Sequence, residues 1–288
     1  MSLPNEIVTS QREKADEHYG RSNLLEAIRA ALAAAGSGDG VLTPEVLAPL
    51  DQFHTRGADA TIELAREAGI AVNSVVLDIG SGLGGPSRYL ASAFGCRVYG
   101  IDLNASFVDA AAYLSQRADL DSLVSYQCAD ALSIPYEDGS FDFVWTQHVA
   151  MNIADRDKLY AEAFRVLKPG GRFAIYDVVA ASGAPLHFPV PWASNQNTSF
   201  LLSPTSMRDI LEAAGFRVIS WHDGTRAGIE WFEARRAAST ATAGTPALGL
   251  HVVMGQAFPT MIANFARNLA EGRIGLIQAV LERAAQTR

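Results

Sequence analysis

The spacing of apolar positions changes along the chain, and each change marks an element. Up to about residue 70 the apolar residues recur at helical intervals, as in Leu24-Leu-Glu-Ala-Ile-Arg-Ala-Ala-Leu32 and about Ala58–Ala68, with a glycine-rich break at Gly36-Ser-Gly-Asp-Gly40. At Val75-Val-Leu-Asp-Ile79 the pattern becomes a continuous apolar run, which predicts a strand covered on both faces. Strands and helices then alternate: helix about Gly85–Phe94, strand Arg97–Ile101, helix Ala105–Arg117, strands Leu123–Gln127 and Phe141–Thr146, helix Asp155–Leu167, strand Arg172–Val178. This alternation predicts an α/β fold, a mostly parallel sheet with helices on both faces.

Lys168-Pro-Gly-Gly171 reads as a helix stop and tight turn. The stretch Ala180–Pro204 is too long for a plain connector and is expected to be a functional loop. A helix, Thr205–Ala214, and a strand, Phe216–His222, follow; the alanine-rich Ala237–Ala243 reads as a loop. The last apolar segment, Ile274–Leu281, has a spacing that suits a strand or a helix. The expected organisation is a helical N-terminal cap over 1–70 and an α/β domain over 71–288, with a helical insertion at about 225–271.

Composition narrows the partners. A net charge of −8 disfavours a nucleic-acid partner, which would call for clustered Lys and Arg. No apolar run reaches the roughly 18–20 residues of a membrane span, and the N-terminus lacks the order of a signal peptide, so a cytoplasmic chain with no membrane partner is expected. Cys96 and Cys128 are too few for a disulfide framework or a four-thiolate zinc site. The six histidines are scattered without ligand spacing, so no metal is expected.

The strongest chemical signal is Val76-Leu-Asp-Ile-Gly-Ser-Gly-Leu-Gly-Gly85, a strand entering a glycine loop and then a helix with Pro86 in its first turn. Gly80, Gly82 and Gly85 spell G-x-G-x-x-G, so a dinucleotide-dependent oxidoreductase has to be weighed. Asp78 at the strand end opposes a pyrophosphate by like-charge repulsion and suits a cationic ligand such as S-adenosylmethionine. Asp102 ends the next strand, 18 residues after Gly84, the interval at which an acid accepts from ribose hydroxyls. Asp130 ends the one after and is a candidate acceptor for an adenine amino group; a helix N-cap is the alternative for each acid. Ser81 lacks the G-x-S-x-G context of a hydrolase nucleophile.

These blocks, with Gly100–Asn104, Ala129–Leu132, Phe141–His148 and Phe164–Phe173, resemble in order the class I S-adenosylmethionine-dependent methyltransferases. The resemblance implies a Rossmann-like sheet of seven strands with a reversed last strand, which makes Ile274–Leu281 a strand. It implies that Gly80, Gly82 and Gly84 line the cofactor, that Asp102 and Leu103 hold ribose and adenine, that Asp130 and Ala131 meet the adenine edge, and that Gln147 meets the methionyl part. Tyr19, Asp51–Gly57 with Ala60-Thr61, and Gln147–Ile153 resemble the small-molecule branch, where sarcosine and dimethylglycine N-methyltransferases stand beside quinone and natural-product enzymes. There an N-terminal helix closes over the cofactor, which implies that Tyr19, His54 and Gly57 lie near the methionyl end. For Tyr19 and His54 the alternative is a packed ring with a wet polar tip.

The acceptor is expected to be a small molecule, with the amine of a glycine derivative as one candidate and a phenolic, quinone or other natural-product O- or C-acceptor as the alternative. His148 is the candidate proton acceptor, against a structural histidine, and Asn152 the candidate that orients the acceptor. Tyr176, His187 and Trp192 are candidate substrate contacts, and the faces of Trp192, Tyr176 and Tyr19 would suit a quaternary ammonium or, equally, a flat phenol or quinone. Arg56 is either a partner for an acceptor carboxylate or a solvated charge. A non-catalytic binding module with the same pocket is a further reading, and the 225–271 insertion is expected to be a lid, a homodimer surface or both.

Overall fold

The computed structural model describes residues 23–37, 40–239 and 246–284. Tyr19 lies outside the described residues. Three helices come first: α1 (Leu24–Ala34), α2 (Pro44–Asp51) and α3 (Ala58–Ala68). The alternating part follows as β1 (Val75–Ile79), α4 (Gly85–Phe94), β2 (Arg97–Asp102), α5 (Ala105–Arg117), β3 (Val124–Cys128), β4 (Phe141–Gln147), α6 (Arg156–Val166) and β5 (Leu167–Ala180). The chain closes with α7 (Pro204–Ala213), β6 (Phe216–Asp223), α8 (Thr225–Ser239), α9 (His251–Met254), α10 (Phe258–Ala270) and β7 (Ile274–Arg283).

The seven strands form one sheet in the order β3-β2-β1-β4-β5-β7-β6. Strands β1 to β5 pair in parallel, and β7 runs antiparallel between β5 and β6. The period-2 alternation of a strand splits its side chains between two cores. Val76 of β1 joins one and Leu77 and Ile79 the other; Ala174 and Tyr176 of β5 join the first, Phe173 and Ile175 the second. The same division settles the last segment. Leu276 and Val280 enter one core and Ile277 and Ala279 the other, so both faces are apolar because both are covered, which a central strand requires.

Two local expectations are corrected. Lys168–Gly171 is not a turn outside the sheet: Leu167 already pairs with Phe141, and an irregularity between Phe141 and Phe143 absorbs the extra residues before Arg172 resumes the ladder. Ala237 to Ser239 continue α8, while 240–245 lie outside the described residues.

Ahead of the sheet, Leu24, Ile28 and Leu32 of α1 and Leu47 and Leu50 of α2 share a core with Leu83 of the glycine loop and Phe107, Ala110 and Leu114 of α5. Helices α1 and α2 therefore rest on the loop that leaves β1, while Ala60, Leu64, Ala65 and Ala68 of α3 enter the core on one face of the sheet. The strand order reverses between β1 and β4, and at such a point the loops after the strands diverge and leave a crevice. Among the described residues no helix is long and apolar enough to cross a membrane.

Candidate active site

A cleft of about 2360 Å³ opens at that crevice. Its first wall is the loop after β1. Gly80 and Ser81 both donate their N–H to the carbonyl of Ile101, at 2.8 and 3.0 Å, and Gly82 donates to Asp102 Oδ2 at 2.9 Å. Gly80 has φ +69°, and a Cβ there would lie 2.5 Å from Val149 Cγ2, so only glycine lets the backbone pass. Gly80, Ser81 and Gly82 line the cleft. Gly84 does not: it turns behind the loop, where a Cβ would run into the ring of Tyr126 and the guanidinium of Arg88. Its bare backbone serves packing against β3, which corrects its expected place.

The acids stand in sequence order along this wall. Asp102 is not a helix cap, since Asn104 caps α5 by accepting from the N–H of Ser106 and Phe107. Its two carboxylate oxygens each accept one backbone N–H, from Gly82 and Asn104 at 2.9 Å, which leaves lone pairs for a ribose diol. Asp130 Oδ1 accepts from Leu132 N–H at 2.9 Å, and Asp130, Leu103 and Ala131 all line the cleft. Asp78 is buried and accepts from the Ser87 hydroxyl at 2.6 Å. Burial first, and the neighbouring Asp102 charge, push its carboxyl up to about 7, against the Ser87 bond. A site that already resists one negative charge repels a pyrophosphate and welcomes an ammonium or sulfonium.

Gln147 ends β4 on the opposite wall. The Trp145 indole N–H, which can only donate, reaches Gln147 Oε1 at 2.9 Å, and the Thr61 hydroxyl lies 3.1 Å from the same oxygen. The amide is thereby oriented, and its buried NH₂ has no partner. Such an orphaned donor suits the carboxylate of an amino-acid moiety. Gly57 lines the cleft nearby and its carbonyl accepts from His54 Nε2 at 2.8 Å. Together the residues fit S-adenosylmethionine: acceptors for ribose and adenine, an acid for its cationic end, and an unpaired donor for its carboxylate.

Beyond Gln147 the chain takes a positive φ of +54° at His148, uncommon for a side-chain-bearing residue. The turn is held by two bonds: His148 N–H donates to the Tyr176 carbonyl at 2.7 Å, and Val149 N–H to Asp177 Oδ1 at 2.9 Å. It puts the His148 ring on the cleft wall, 5.1 Å from the Tyr176 ring and 6.1 Å from that of His54 between centroids. Burial, with the His54 ring beside it, holds His148 well below the usual histidine range, and burial takes His54 to about 4. Both rings are neutral near pH 7, and His148 Nε2 is buried without a partner. Asn152, in a 3₁₀ turn, also lines the cleft and donates to the Val149 carbonyl at 3.3 Å.

The candidate substrate contacts separate. Trp192 lines the cleft with its indole N–H donated to Ser199 Oγ at 2.9 Å. Tyr176 lies behind His148 and does not line it; its hydroxyl is buried and unpartnered. His187 is not in the site, because its N–H is taken by Asn268 and its Nε2 lies 2.8 Å from Glu271, which ties the loop to the end of α10. Arg56 pairs with Glu63 through two bonds of 2.7 and 2.5 Å. Sequence reasoning passed over Phe265, which reads as one more apolar position of a helix, and Asp177, whose signal was an acid inside the apolar run Ala174-Ile-Tyr-Asp-Val-Val179.

Residues 77–175 match the family model described as a methyltransferase domain. Curated relatives include the sarcosine/dimethylglycine N-methyltransferase of Halorhodospira halochloris, 31% identical over 62% of this chain and 63% of that protein. Another is the sterol 24-C-methyltransferase of Kluyveromyces lactis, 30% identical over 56% of this chain and 45% of that protein. The chain spans less than two thirds of the length of either. The solved geranyl diphosphate C-methyltransferase of Streptomyces coelicolor A3(2), in complex with Mg²⁺, geranyl diphosphate and S-adenosyl-L-homocysteine, matches with a TM-score of 0.64 at 21% identity over 79% of each chain, a likeness of fold. The matched model makes residues 77–175 a methyltransferase domain, set in a seven-stranded sheet whose last strand is reversed.

Proposed function

We propose that the chain transfers the methyl group of S-adenosylmethionine to a small-molecule nucleophile seated beyond Gln147, with His148 accepting the nucleophile's proton and Asn152 orienting it. When bound, the cofactor supplies an electrophilic methyl on a sulfonium sulfur. Asp102 and Leu103 would hold ribose and adenine, Asp130 and Ala131 the adenine edge, Gly80 and Gly82 the close backbone approach, and Asp78, Gly57 and Gln147 the methionyl end. Tyr19 is assigned to the same end by resemblance alone. What remains for the chain is to align nucleophile and methyl in a dry pocket and to take a proton, and no metal enters either task.

The observation that carries this reading is the neutral, half-buried His148 on the cleft wall, its Nε2 buried and unpartnered, next to the oriented amide of Gln147. A glycine-derived amine is supported by the Halorhodospira halochloris relative. The commitment of Arg56 to Glu63 favours an O- or C-acceptor instead, because an acceptor carboxylate would have to displace a bidentate partner. Calorimetric titration with S-adenosylhomocysteine and, in parallel, NADH tests the cofactor, with Asp102→Ala as control. Micromolar binding of the former, lost in the variant, is expected; binding of NADH alone would overturn the reading.

A further inference from the structure

The cleft continues past His148 along a run of aromatic rings. Phe265 of α10 stands edge-on to His148, with centroids 6.2 Å apart at 73°. It meets Trp192 at 5.5 Å and Phe232 of α8 at 5.4 Å, both edge-on, and Phe232 meets Trp231 at 4.9 Å. All of these rings line the cleft, with Ile229 and Ile262 between them. The polar groups beside them are already used. Trp192 donates to Ser199, Asn264 to the Pro189 carbonyl and Asn268 to the His187 carbonyl. Of the charges, Arg56 is engaged on Glu63 and Arg267 on Glu271, Arg235 lies over the Trp231 ring at 4.8 Å, and Glu233 of α8, which also lines the cleft, is exposed to solvent. A zwitterionic acceptor entering here would shed its water against carbon, whereas an apolar body would gain by doing so.

We propose that α8, α10 and the loop carrying Trp192 form an acceptor subsite for an uncharged molecule with an extended apolar body and one phenolic or enolic hydroxyl, the hydroxyl directed at His148 and the body lying along Phe265 and Phe232. The assignment rests on the methyltransferase reading above. In the step it serves, the hydroxyl proton passes to a His148 ring nitrogen, the oxygen–methyl bond forms as the sulfur–methyl bond breaks, and the electron pair of that bond stays on sulfur. A ring whose protonated form is disfavoured by burial is a weak base, which is why the hydroxyl has to be an acidic one.

The test uses the full chain with S-adenosylhomocysteine present and three probes, 4-hexylphenol, phenol and sarcosine, followed by calorimetry and tryptophan fluorescence. The expected order is 4-hexylphenol about ten-fold or more tighter than phenol, because added methylenes are buried, and no binding of sarcosine. Phe265→Ala is expected to weaken 4-hexylphenol about ten-fold with S-adenosylhomocysteine affinity unchanged. Phe232→Leu, at a partly buried ring, repeats the test should Phe265→Ala fail to fold. Sarcosine binding in preference to the phenols, or 4-hexylphenol affinity untouched in both variants, would overturn the assignment. Failure of S-adenosylhomocysteine itself to bind would overturn the reading beneath it, and the assignment with it.

Discussion

The guanidinium of Arg88 and the carboxylate of Asp51, both buried, meet at 2.5 Å and join the end of α2 to the first turns of α4. Arg88 also donates to the Leu83 carbonyl at 2.6 Å and to Ser115 Oγ at 3.2 Å, so one side chain ties the N-terminal helices, the glycine loop and α5 together. Removing one member of a buried pair strands the other charge. Arg88→Ala is therefore expected to lower the unfolding free energy by about 3–5 kcal/mol in urea titrations. A loss below about 1 kcal/mol would show that the three elements hold together without it.

Binding of S-adenosylhomocysteine should release a proton. The Asp78 carboxyl, pushed up to about 7 by burial, is largely protonated at pH 6, and an ammonium seated beside it favours the charged form. The sign follows from linkage: the ligand lowers the pKa, so affinity rises as pH climbs towards 7 and levels off above it. Without ligand the sign reverses for stability, because the folded chain binds the extra proton, and this group's contribution falls as pH rises from the ordinary carboxylate range to about 7. Calorimetry at pH 6 in buffers of different ionisation enthalpy measures the proton count, and zero release would remove Asp78 from the cationic end of the site.

His148→Ala is expected to lower kcat by about 10²–10⁴-fold while leaving KM for S-adenosylmethionine within a few-fold. Because burial holds the wild-type ring well below the usual histidine range, protonation should silence the base only in acid, so kcat shows no acid limb between pH 6 and 8. An acid limb near the ordinary histidine value of about 6.5 would mean that the ring is solvated in the working complex.

Trp145→Phe tests the orientation of Gln147 without touching the cleft surface. Loss of the indole N–H leaves the amide held by the Thr61 hydroxyl alone, and S-adenosylhomocysteine affinity should fall by up to about ten-fold, the worth of one hydrogen bond. Gln147→Leu should fall at least as far. An unchanged affinity in both variants would mean that the amide does not meet the ligand.

What could be read along the chain was whatever depends on neighbours close in sequence. The central strand β1 announces itself because a strand covered on both faces is largely apolar, the edge strand β3 because it alternates, and the glycine loop because a positive φ and a close backbone approach are local demands. Asp78, Asp102 and Asp130 reach the cleft because each lies at or within two residues of the C-terminal end of a strand, and strand ends are legible. Tertiary structure decided the rest. Ile274–Leu281 has one spacing that fits two elements, and only the presence of a core on each side makes it a strand. Gly84 belongs to packing and not to the cleft because Tyr126, from a strand more than forty residues on, fills the space beside it. His187 and Phe265 exchange their expected importance for the same reason: the end of α10 captures the histidine at Glu271, while the helix turns the phenylalanine towards His148. Burial, which sets the charge of Asp78 and His148, is a property of what packs around a residue, and no local pattern carries it.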